Sequence, residues 1–127
     1  MRHKSGYKKF QKSPAHRRAM FRNMVTSLVL NERIETTAAK AKGVRPVVEK
    51  IVRMSQDESL HSKRAVGSFL MDKKAVHKLF TEIAPRFKGR QGGYTRVIRS
   101  RIRAGDAAPM ALIEFVEKGA EALVKTA

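Results

Sequence analysis

Histidine is the residue type in this sequence best suited to acid–base or metal chemistry. It occurs at His3, His16, His61 and His77. None of these has a second histidine four residues away or another companion at ligand spacing, as a metal site would require. Glu114 and Glu117 are an odd number of residues apart, so a strand would place them on opposite faces. The sequence therefore predicts no metal, no cofactor, no small-molecule substrate and no catalytic acid–base pair.

The stretch 86–103 favours a different chemistry, the binding of phosphate. It holds no acid, and seven of its residues are Lys or Arg. A glycine-punctuated loop comes first, and an alternating strand pattern follows from Tyr94. Because side chains alternate along a strand, Arg99, Arg101 and Arg103 are predicted to form a charged row on one face. A polyanion would relieve the repulsion among them, and phosphate accepts the guanidinium fork in bidentate geometry.

The glycines and aromatic residues near basic side chains each have two interpretations. Gly92 and Gly93 precede a strand and not a helix, so they match no phosphate-binding loop. They either let the backbone approach RNA or only turn the chain. Tyr94, like Tyr7 and Phe10, lies among basic residues and is placed to stack on bases. For Tyr94 a position in the core is an equal alternative.

Positive charge is the most unusual global property of the chain. Its 127 residues include 28 Lys and Arg against 11 Asp and Glu, for a net charge of +17. Such self-repulsion is explained by a partner with dense negative charge, either nucleic acid or an anionic membrane surface. The length suits one domain, and 42% hydrophobic residues supply its core.

Other global features narrow the class of protein. There are no cysteines, which excludes disulfides and thiolate metal sites and fits a reducing compartment. No stretch approaches about 18 apolar residues, so no segment is expected to span a membrane. The first residues have no apolar run behind them, so we expect no signal peptide.

The first twelve residues are predicted to form a flexible basic arm. Residues 1–12 carry five Lys or Arg and no acid, with too few apolar side chains to repay ordering. Such an arm either binds nucleic acid, which we favour, or is a disordered solubility tail. Ser13 and Pro14 then have the pattern of a helix start. The globular domain is therefore predicted to span 13–118, and 119–127 to form a short tail.

Apolar periodicity predicts four helices within this domain. The first runs from Pro14 to Asn31. The second starts after Thr37, but Gly43 and Pro46 predict either two pieces or one kinked helix.

The third and fourth helices are shorter. The third starts at Asp57 or Ser59 and ends at Leu70. The fourth is capped by Asp72 and stops at Pro85. Its periodicity buries Leu79 and Phe80 and leaves Lys78 on the surface.

Three strands complete the pattern, at 33–36, from Tyr94 to Arg103 and at 110–116. The order is helix, strand, helices, strand, strand. This order predicts an α+β fold of two layers, in which helices cover one face of a small mixed sheet.

A series of phrases through nearly the whole chain carries a family resemblance. They are Met1–His3, His16–Met24, Ser27–Val29, Thr36–Thr37, Lys40–Lys42, Lys78–Phe80, Gln91–Arg96, Arg103–Asp106 and Pro109–Ala111. In combination they resemble the bacterial ribosomal protein family numbered seventeen in the large-subunit series. Gly43 departs from the family pattern, which has a helix-favouring acid there.

The resemblance implies a structural, non-catalytic protein of the large ribosomal subunit. Its partners would be large-subunit ribosomal RNA and neighbouring large-subunit proteins. Its place would be the outer surface of the subunit, near the nascent-chain exit, in the cytoplasm.

We expect RNA contacts to go to phosphate more than to base edges, because sequence readout in duplex RNA is poor. The residues predicted to bind RNA are Arg2, His3, Lys4, Lys8, Lys9, Lys12, His16, Arg17, Arg22, Lys88, Arg90, Gly92, Gly93, Tyr94, Arg96, Arg99, Arg101 and Arg103.

Two other functions are open from the residues alone. A DNA-compacting or transcriptional protein would place a basic helix in the major groove, but no helix-turn-helix glycine or dimer zipper is evident. A small nuclease or RNA-modifying enzyme would use His3 or His16, but both a partner acid and a pocket signature are missing.

Overall fold

The structure, a computed structural model, describes residues 8–117. Helices α1 to α5 cover Pro14–Asn31, Ala38–Ser55, Leu60–Phe69, Lys73–Lys78 and Ala84–Arg86, and the π-helix Leu79–Ile83 joins α4 to α5. Strands β1, β2 and β3 cover Arg33–Thr37, Thr95–Ile102 and Pro109–Phe115. This element order confirms the predicted two-layer α+β class. No helix within 8–117 is long and apolar enough to cross a membrane.

The three strands form one antiparallel sheet in the order β1–β3–β2. The prediction of a mixed sheet is therefore wrong, because every strand pair is antiparallel. The short loop 103–108 joins β2 to β3, whereas a parallel pair would need a crossover of about a dozen residues or more. Helices cover the inner face, where Ala111, Ile113 and Phe115 of the central strand are buried.

A β-bulge interrupts the pairing of β2 with β3. Arg99 pairs with Ala111, but the next paired residue, Ile102, is opposite Pro109. One extra residue therefore stands in β2, and the alternation of its side chains reverses beyond the bulge. This reversal decides where the arginines of β2 point.

Helix α1 begins as the sequence predicts. The Ser13 hydroxyl accepts a hydrogen bond from the backbone N–H of His16 at 3.3 Å, and Pro14 occupies the first turn. Glu32 caps the end of the helix in the left-handed conformation, with φ of 60°. The chain then enters β1 directly.

Helix α2 is one continuous helix from Ala38 to Ser55 with Pro46 inside it. Of the two predicted alternatives, the single helix is therefore the one observed. Pro46 lies on the exposed face, where water can satisfy the carbonyl that loses its hydrogen bond. Val44, Val48 and Val52 on the opposite face are fully buried, and this packing offsets the cost of the proline.

The prediction that Pro85 stops the fourth helix is wrong, because the helical run continues to Arg86. The π-helix makes this possible: Ala84 N–H bonds to the Leu79 carbonyl, five residues back. The wider turn makes room for the proline ring, which would clash in a regular helix. Leu79 is buried as predicted, whereas Phe80 is only partly buried.

Candidate nucleic-acid interface

Acidic side chains in residues 8–117 are almost all engaged in contacts that hold the fold. The engaged acids are Glu32, Glu35, Glu49, Asp57, Asp72, Glu82, Asp106, Glu114 and Glu117. Six of them form ion pairs with Lys or Arg, whereas Glu49, Asp57 and Asp72 accept hydrogen bonds from backbone or hydroxyl groups. The Lys and Arg residues outside these ion pairs carry the positive charge of the outer surface.

A cross-strand ladder neutralises Arg96 on the outer face of the sheet. Arg33 and Arg96 flank Glu114 in register, on either side of the central strand. The Arg96 guanidinium is 2.6 Å from a Glu114 oxygen, and Arg33 Nε is 3.7 Å from the other. The Glu114 side chain is only 4% exposed, so the two arginines satisfy a buried carboxylate. Arg96 is thus occupied by a structural contact.

The predicted row of Arg99, Arg101 and Arg103 does not form. Within the bulge, Ser100 and Arg101 both bond to Glu35 of β1, at 2.9 and 3.1 Å. Arg99 instead pairs with the inward-facing Ala111, so it lies on the opposite face. The hydrogen bonds from Ser100 and then Arg101 lower the pKa of Glu35.

Arg103 is held within the loop that follows β2. Its guanidinium makes two bonds to Asp106, at 3.0 and 2.6 Å. These bonds lower the pKa of Asp106 to about 2 and raise the pKa of Arg103. The loop therefore presents a paired arginine, and the Ala108 N–H adds a further bond to the same carboxylate at 3.3 Å.

Arg22 fastens α3 to α1. Its Nε donates to the Phe69 carbonyl at 2.7 Å, and a terminal nitrogen donates to the Ser68 carbonyl at 2.8 Å. The guanidinium also stands 6.0 Å from the centre of the Phe69 ring. A cation at the last turn of a helix satisfies carbonyls that have no helical partner. The structural role of Arg22 was not foreseen from the sequence.

Tyr94 is a core residue, so the interpretation in which it stacks on bases is wrong. It is 2% exposed, and its ring packs edge-on against Phe87 at 5.2 Å between centroids. Its hydroxyl donates to the Arg90 carbonyl at 2.9 Å. The tyrosine thereby anchors the end of the loop 88–93, whose other side faces solvent.

The loop 88–93 turns on glycines with positive φ. Gly92 has φ 141° and Gly93 has φ 65°, which L side chains rarely adopt. No atom lies within 4 Å of the position that a Cβ on Gly92 would occupy. Turning the chain is thus one role of these glycines, and close approach of RNA to Gly92 stays a prediction. Lys88 is exposed, whereas Arg90 pairs with Glu117 at 3.5 Å.

The basic residues at the start of α1 and just before it differ in exposure and in side-chain contacts. Lys8 and Lys9 are exposed, and Lys12 Nζ lies 3.4 Å from His16 Nε2. A cation is therefore the hydrogen-bonding neighbour of His16. Arg17 is half-buried.

Predicted binding residues Arg2, His3 and Lys4 lie outside the described residues, as does the tail 119–127. Within 8–117 no three His, Asp or Glu side chains are grouped to hold a metal ion.

Four cations on α2 were missed by the sequence analysis. Lys42, Arg45, Lys50 and Arg53 are exposed, and we call them the α2 cationic face. None of the four makes an ion pair or side-chain hydrogen bond within 8–117. The sequence pattern could have predicted their exposure. They lie opposite the buried valine stripe, and a helix with one apolar face turns its remaining residues to solvent.

Glu49 joins the α2 cationic face to the loop 88–93. Its carboxylate accepts bonds from Tyr94 N–H at 3.1 Å, Thr95 N–H at 2.9 Å and the Thr95 hydroxyl at 2.7 Å. This fixes the start of β2 beside α2, where Arg53 and Arg90 line one polar cleft. On the other side of α2, Lys50 and Arg18 line a second cleft against α1 and α3. Cations therefore line both clefts that flank α2, where phosphate oxygens could accept hydrogen bonds from them.

Comparison with known proteins identifies the family. The family model "Ribosomal protein L17" matches residues 20–116. A protein of Sphingopyxis alaskensis named "Large ribosomal subunit protein bL17" is 54% identical over 118 residues, covering 93% of this chain and 85% of the relative. A protein of the same name from Magnetococcus marinus is 50% identical, and the match covers 94% of this chain and 96% of the relative. Another from Wolinella succinogenes is 47% identical, and the match covers 91% of this chain and 100% of the relative.

These matches confirm the resemblance seen in the sequence, and the relatives carry the name of a ribosomal protein and not of an enzyme, as predicted. The chain belongs to the ribosomal protein L17 family.

Proposed function

We propose that this protein is a structural constituent of the large ribosomal subunit that binds large-subunit ribosomal RNA through phosphate contacts. The observation that carries the proposal is the distribution of unneutralised charge. Internal acids neutralise Arg96, Arg101 and Arg103, while the four cations of the α2 cationic face have no partner within 8–117. The family name of the relatives supplies the ribosomal context.

The binding surface that we propose is centred on α2. It comprises the α2 cationic face, Arg18 beside Lys50, and Lys88 in the adjoining loop. Lys8, Lys9, Lys12 and His16 extend it toward the predicted arm, and Arg99 adds a further exposed cation without a partner within 8–117. We also propose contacts from Arg90, which lines the cleft beside Arg53, and from Arg17 of α1. A field of this kind attracts a polyanion and does not read sequence.

The arginines Arg96, Arg101 and Arg103 have a secondary place in this proposal. Each is already bonded to a carboxylate, so a phosphate would have to share or displace that acid. We propose that they position the sheet and the β2–β3 hairpin against RNA. The guanidinium N–H groups that are not bonded to a carboxylate would donate to the RNA. The binding would assist folding and assembly of the RNA, in the cytoplasm, on the outer surface of the subunit near the nascent-chain exit.

The test compares two variants that remove equal charge. In the first, Lys42, Arg45, Lys50 and Arg53 are all changed to Gln. In the second, four exposed cations of α3 and α4 are changed to Gln, namely Lys63, Arg64, Lys73 and Lys74. Binding to large-subunit ribosomal RNA is measured across a salt series for both.

The first variant is expected to lose about three units of log–log salt slope if all four cations contact phosphate, at about 0.7 to 0.9 per contact. The second is expected to lose less than about one unit. Equal losses would show that only net charge matters and would remove α2 as the binding surface. Co-sedimentation of the full chain with large subunits tests the ribosomal assignment itself.

A further inference from the structure

An apolar groove lies between α3 and the helical segment formed by α4 and the π-helix. It is an open groove of about 620 Å³, and its floor is formed by Leu70, Met71, Val76 and Phe80. It lies on the side of α3 opposite the residues that face α2, since Ala65 and Ser68 line the cleft toward α2 instead. The groove is therefore separate from the proposed RNA-binding surface.

Met71 is an exposed apolar side chain of this groove that does not belong to the core or pack against it. Met71 is 66% exposed, and Phe80 is only partly buried although its neighbour Leu79 is fully buried. The π-helix Leu79–Ile83 keeps both Leu79 and Ile83 in the core and leaves Phe80 along the groove. Single π-turns within helices occur frequently at functional sites, and methionine adapts to irregular apolar partners.

The charge of the groove indicates the chemistry of its occupant. Lys63 of α3 and Lys73 of α4 both line it, and no acid does. Neither lysine has an ion-pair partner within 8–117. A bound segment would therefore bury apolar side chains on the floor and place acidic side chains against the two lysines.

We propose that this groove docks a segment of another protein that carries acidic side chains beside apolar ones. The proposal rests on the assignment to the ribosome, where such a segment would come from a neighbouring protein. A protein segment suits the groove better than RNA does, because Leu70, Met71, Val76 and Phe80 supply apolar surface that a partner's apolar side chains can bury. The polar lining residues Lys63, Lys73, His77 and Thr81 could also bond to phosphate, so crosslinking to RNA is an outcome that the experiment must distinguish.

Gly67 provides a way to block the groove without disturbing the fold. It lies in α3 and lines the groove, and no atom lies within 4 Å of the position of an added Cβ. Gly67→Leu therefore projects a side chain into the groove, whereas Gly67→Ala changes the helix in the same way but adds only a methyl group. Both favour the helix relative to glycine, so loss of fold does not explain a loss of docking.

The experiment uses the full chain with the photo-crosslinking residue p-benzoylphenylalanine in place of Met71, incorporated into large ribosomal subunits. Co-sedimentation checks incorporation first, and a second probe in place of Lys50 reports the RNA side. The Met71 probe is expected to crosslink a protein segment in which acidic residues flank apolar ones. Gly67→Leu is expected to reduce that crosslink by about tenfold or more, and Gly67→Ala to leave it within about twofold.

A charge test accompanies the steric one. The double variant Lys63→Glu, Lys73→Glu is expected to weaken the crosslink by at least about threefold. At both positions the attraction to acidic side chains of the partner becomes repulsion. Arg64→Glu with Lys74→Glu makes the same change of net charge outside the groove and is expected to have little effect.

The possible outcomes are distinct. A chain that does not co-sediment removes the ribosomal assignment and this proposal with it. An incorporated chain overturns the groove proposal alone if the Met71 probe crosslinks RNA, crosslinks only its own chain or yields no product. A protein crosslink that is unchanged by Gly67→Leu would also overturn it.

Discussion

Phe10 packs against Gly43, a glycine in the interior of α2. A Cβ on Gly43 would stand 2.8 Å from Cζ of Phe10. The Phe10 ring also meets Phe21 edge-on, with centroids 5.9 Å apart and planes at 84°. The missing side chain of Gly43 is thus filled by an aromatic ring from outside the helices. This contact explains why a helix tolerates glycine at this position.

This contact predicts a coupling between Phe10 and Gly43. Gly43→Ala should gain about 1 kcal/mol from helix propensity, offset by displacement of the Phe10 ring, so the net change should be near zero. In a Phe10→Ala background the ring is absent, and the same substitution should stabilise by the full amount of about 1 kcal/mol. Denaturant unfolding of the two single variants and the double variant measures the difference. Equal effects in both backgrounds would contradict the proposed contact.

Glu49 is predicted to stabilise the join between α2 and β2. Glu49→Ala leaves two backbone N–H groups and a hydroxyl, all part-buried, without their acceptor. Loss of such acceptors costs about 2 to 4 kcal/mol in the free energy of unfolding. Glu49→Gln keeps one acceptor oxygen in place and should cost less than half of this. If the alanine and glutamine variants melted alike, the hydrogen bonds would not be the source of the stability.

Lys78 is expected to matter for stability, although the sequence placed it on the surface. Its Nζ donates to the Leu30 carbonyl at 2.9 Å near the end of α1 and pairs with Glu32 at 3.2 Å. Lys78→Ala should therefore cost about 1 to 3 kcal/mol, because hydrogen bonds to a charged group are stronger than neutral ones. Lys74→Ala is the matched control, and as an exposed change it should cost under about 0.5 kcal/mol. A similar cost for both would remove Lys78 from the stabilising contacts.

The sequence predicted what depends on periodicity and on local capping. The Ser13 cap, the valine stripe of α2 and the strand at 110–116 follow from such local rules. It did not predict contacts between residues far apart in the chain, such as Arg22 with Phe69 or Glu49 with Thr95. Which cations remain free depends on these contacts, so the binding surface that we propose is centred on α2, whereas the sequence predicted one on β2.

The bulge in β2 also depends on a contact between residues far apart in the chain, and the sequence pattern of the strand did not predict it. Strict alternation predicts one face for Arg99 and Arg101, and one extra residue opposite Met110 separates them. The bulge itself is stabilised by Glu35 of β1, a partner more than 60 residues earlier in the chain. No local pattern in 95–103 contains that information.

The contact between Arg103 and Asp106 predicts an unusual titration. The arginine bonds hold the pKa of Asp106 at about 2, below the value of the unfolded chain. The stabilisation from this contact is therefore complete above the unfolded pKa and is lost as pH falls through about 2. NMR titration of the Asp106 carboxyl should show this midpoint, and Arg103→Gln should raise it toward an ordinary aspartate. A midpoint that does not move would assign the shift to the Ala108 N–H instead.

The final prediction separates the affinity of the predicted arm from its contribution to the fold. Because Phe10 packs on Phe21 and Gly43, the part of the arm from residue 8 onward is expected to stabilise the domain. Removal of 1–7 takes away Arg2 and Lys4 but leaves that packing, so the melting temperature should stay almost unchanged. The log–log salt slope of RNA binding should fall by about 1.4 to 1.8, at about 0.7 to 0.9 for each of the two cations.

Removal of 1–12 takes away three more lysines and the Phe10 contact. The salt slope should therefore fall by about 3.5 to 4.5 in total if every cation contacts phosphate, and the melting temperature should now fall as well. Phe10→Ala in the full-length chain is the control, because it should reproduce the loss of melting temperature and leave the salt slope unchanged. A slope that is the same for all three chains would show that the arm remains in solvent when RNA is bound. A lower melting temperature after removal of 1–7 alone would place part of the fold before residue 8.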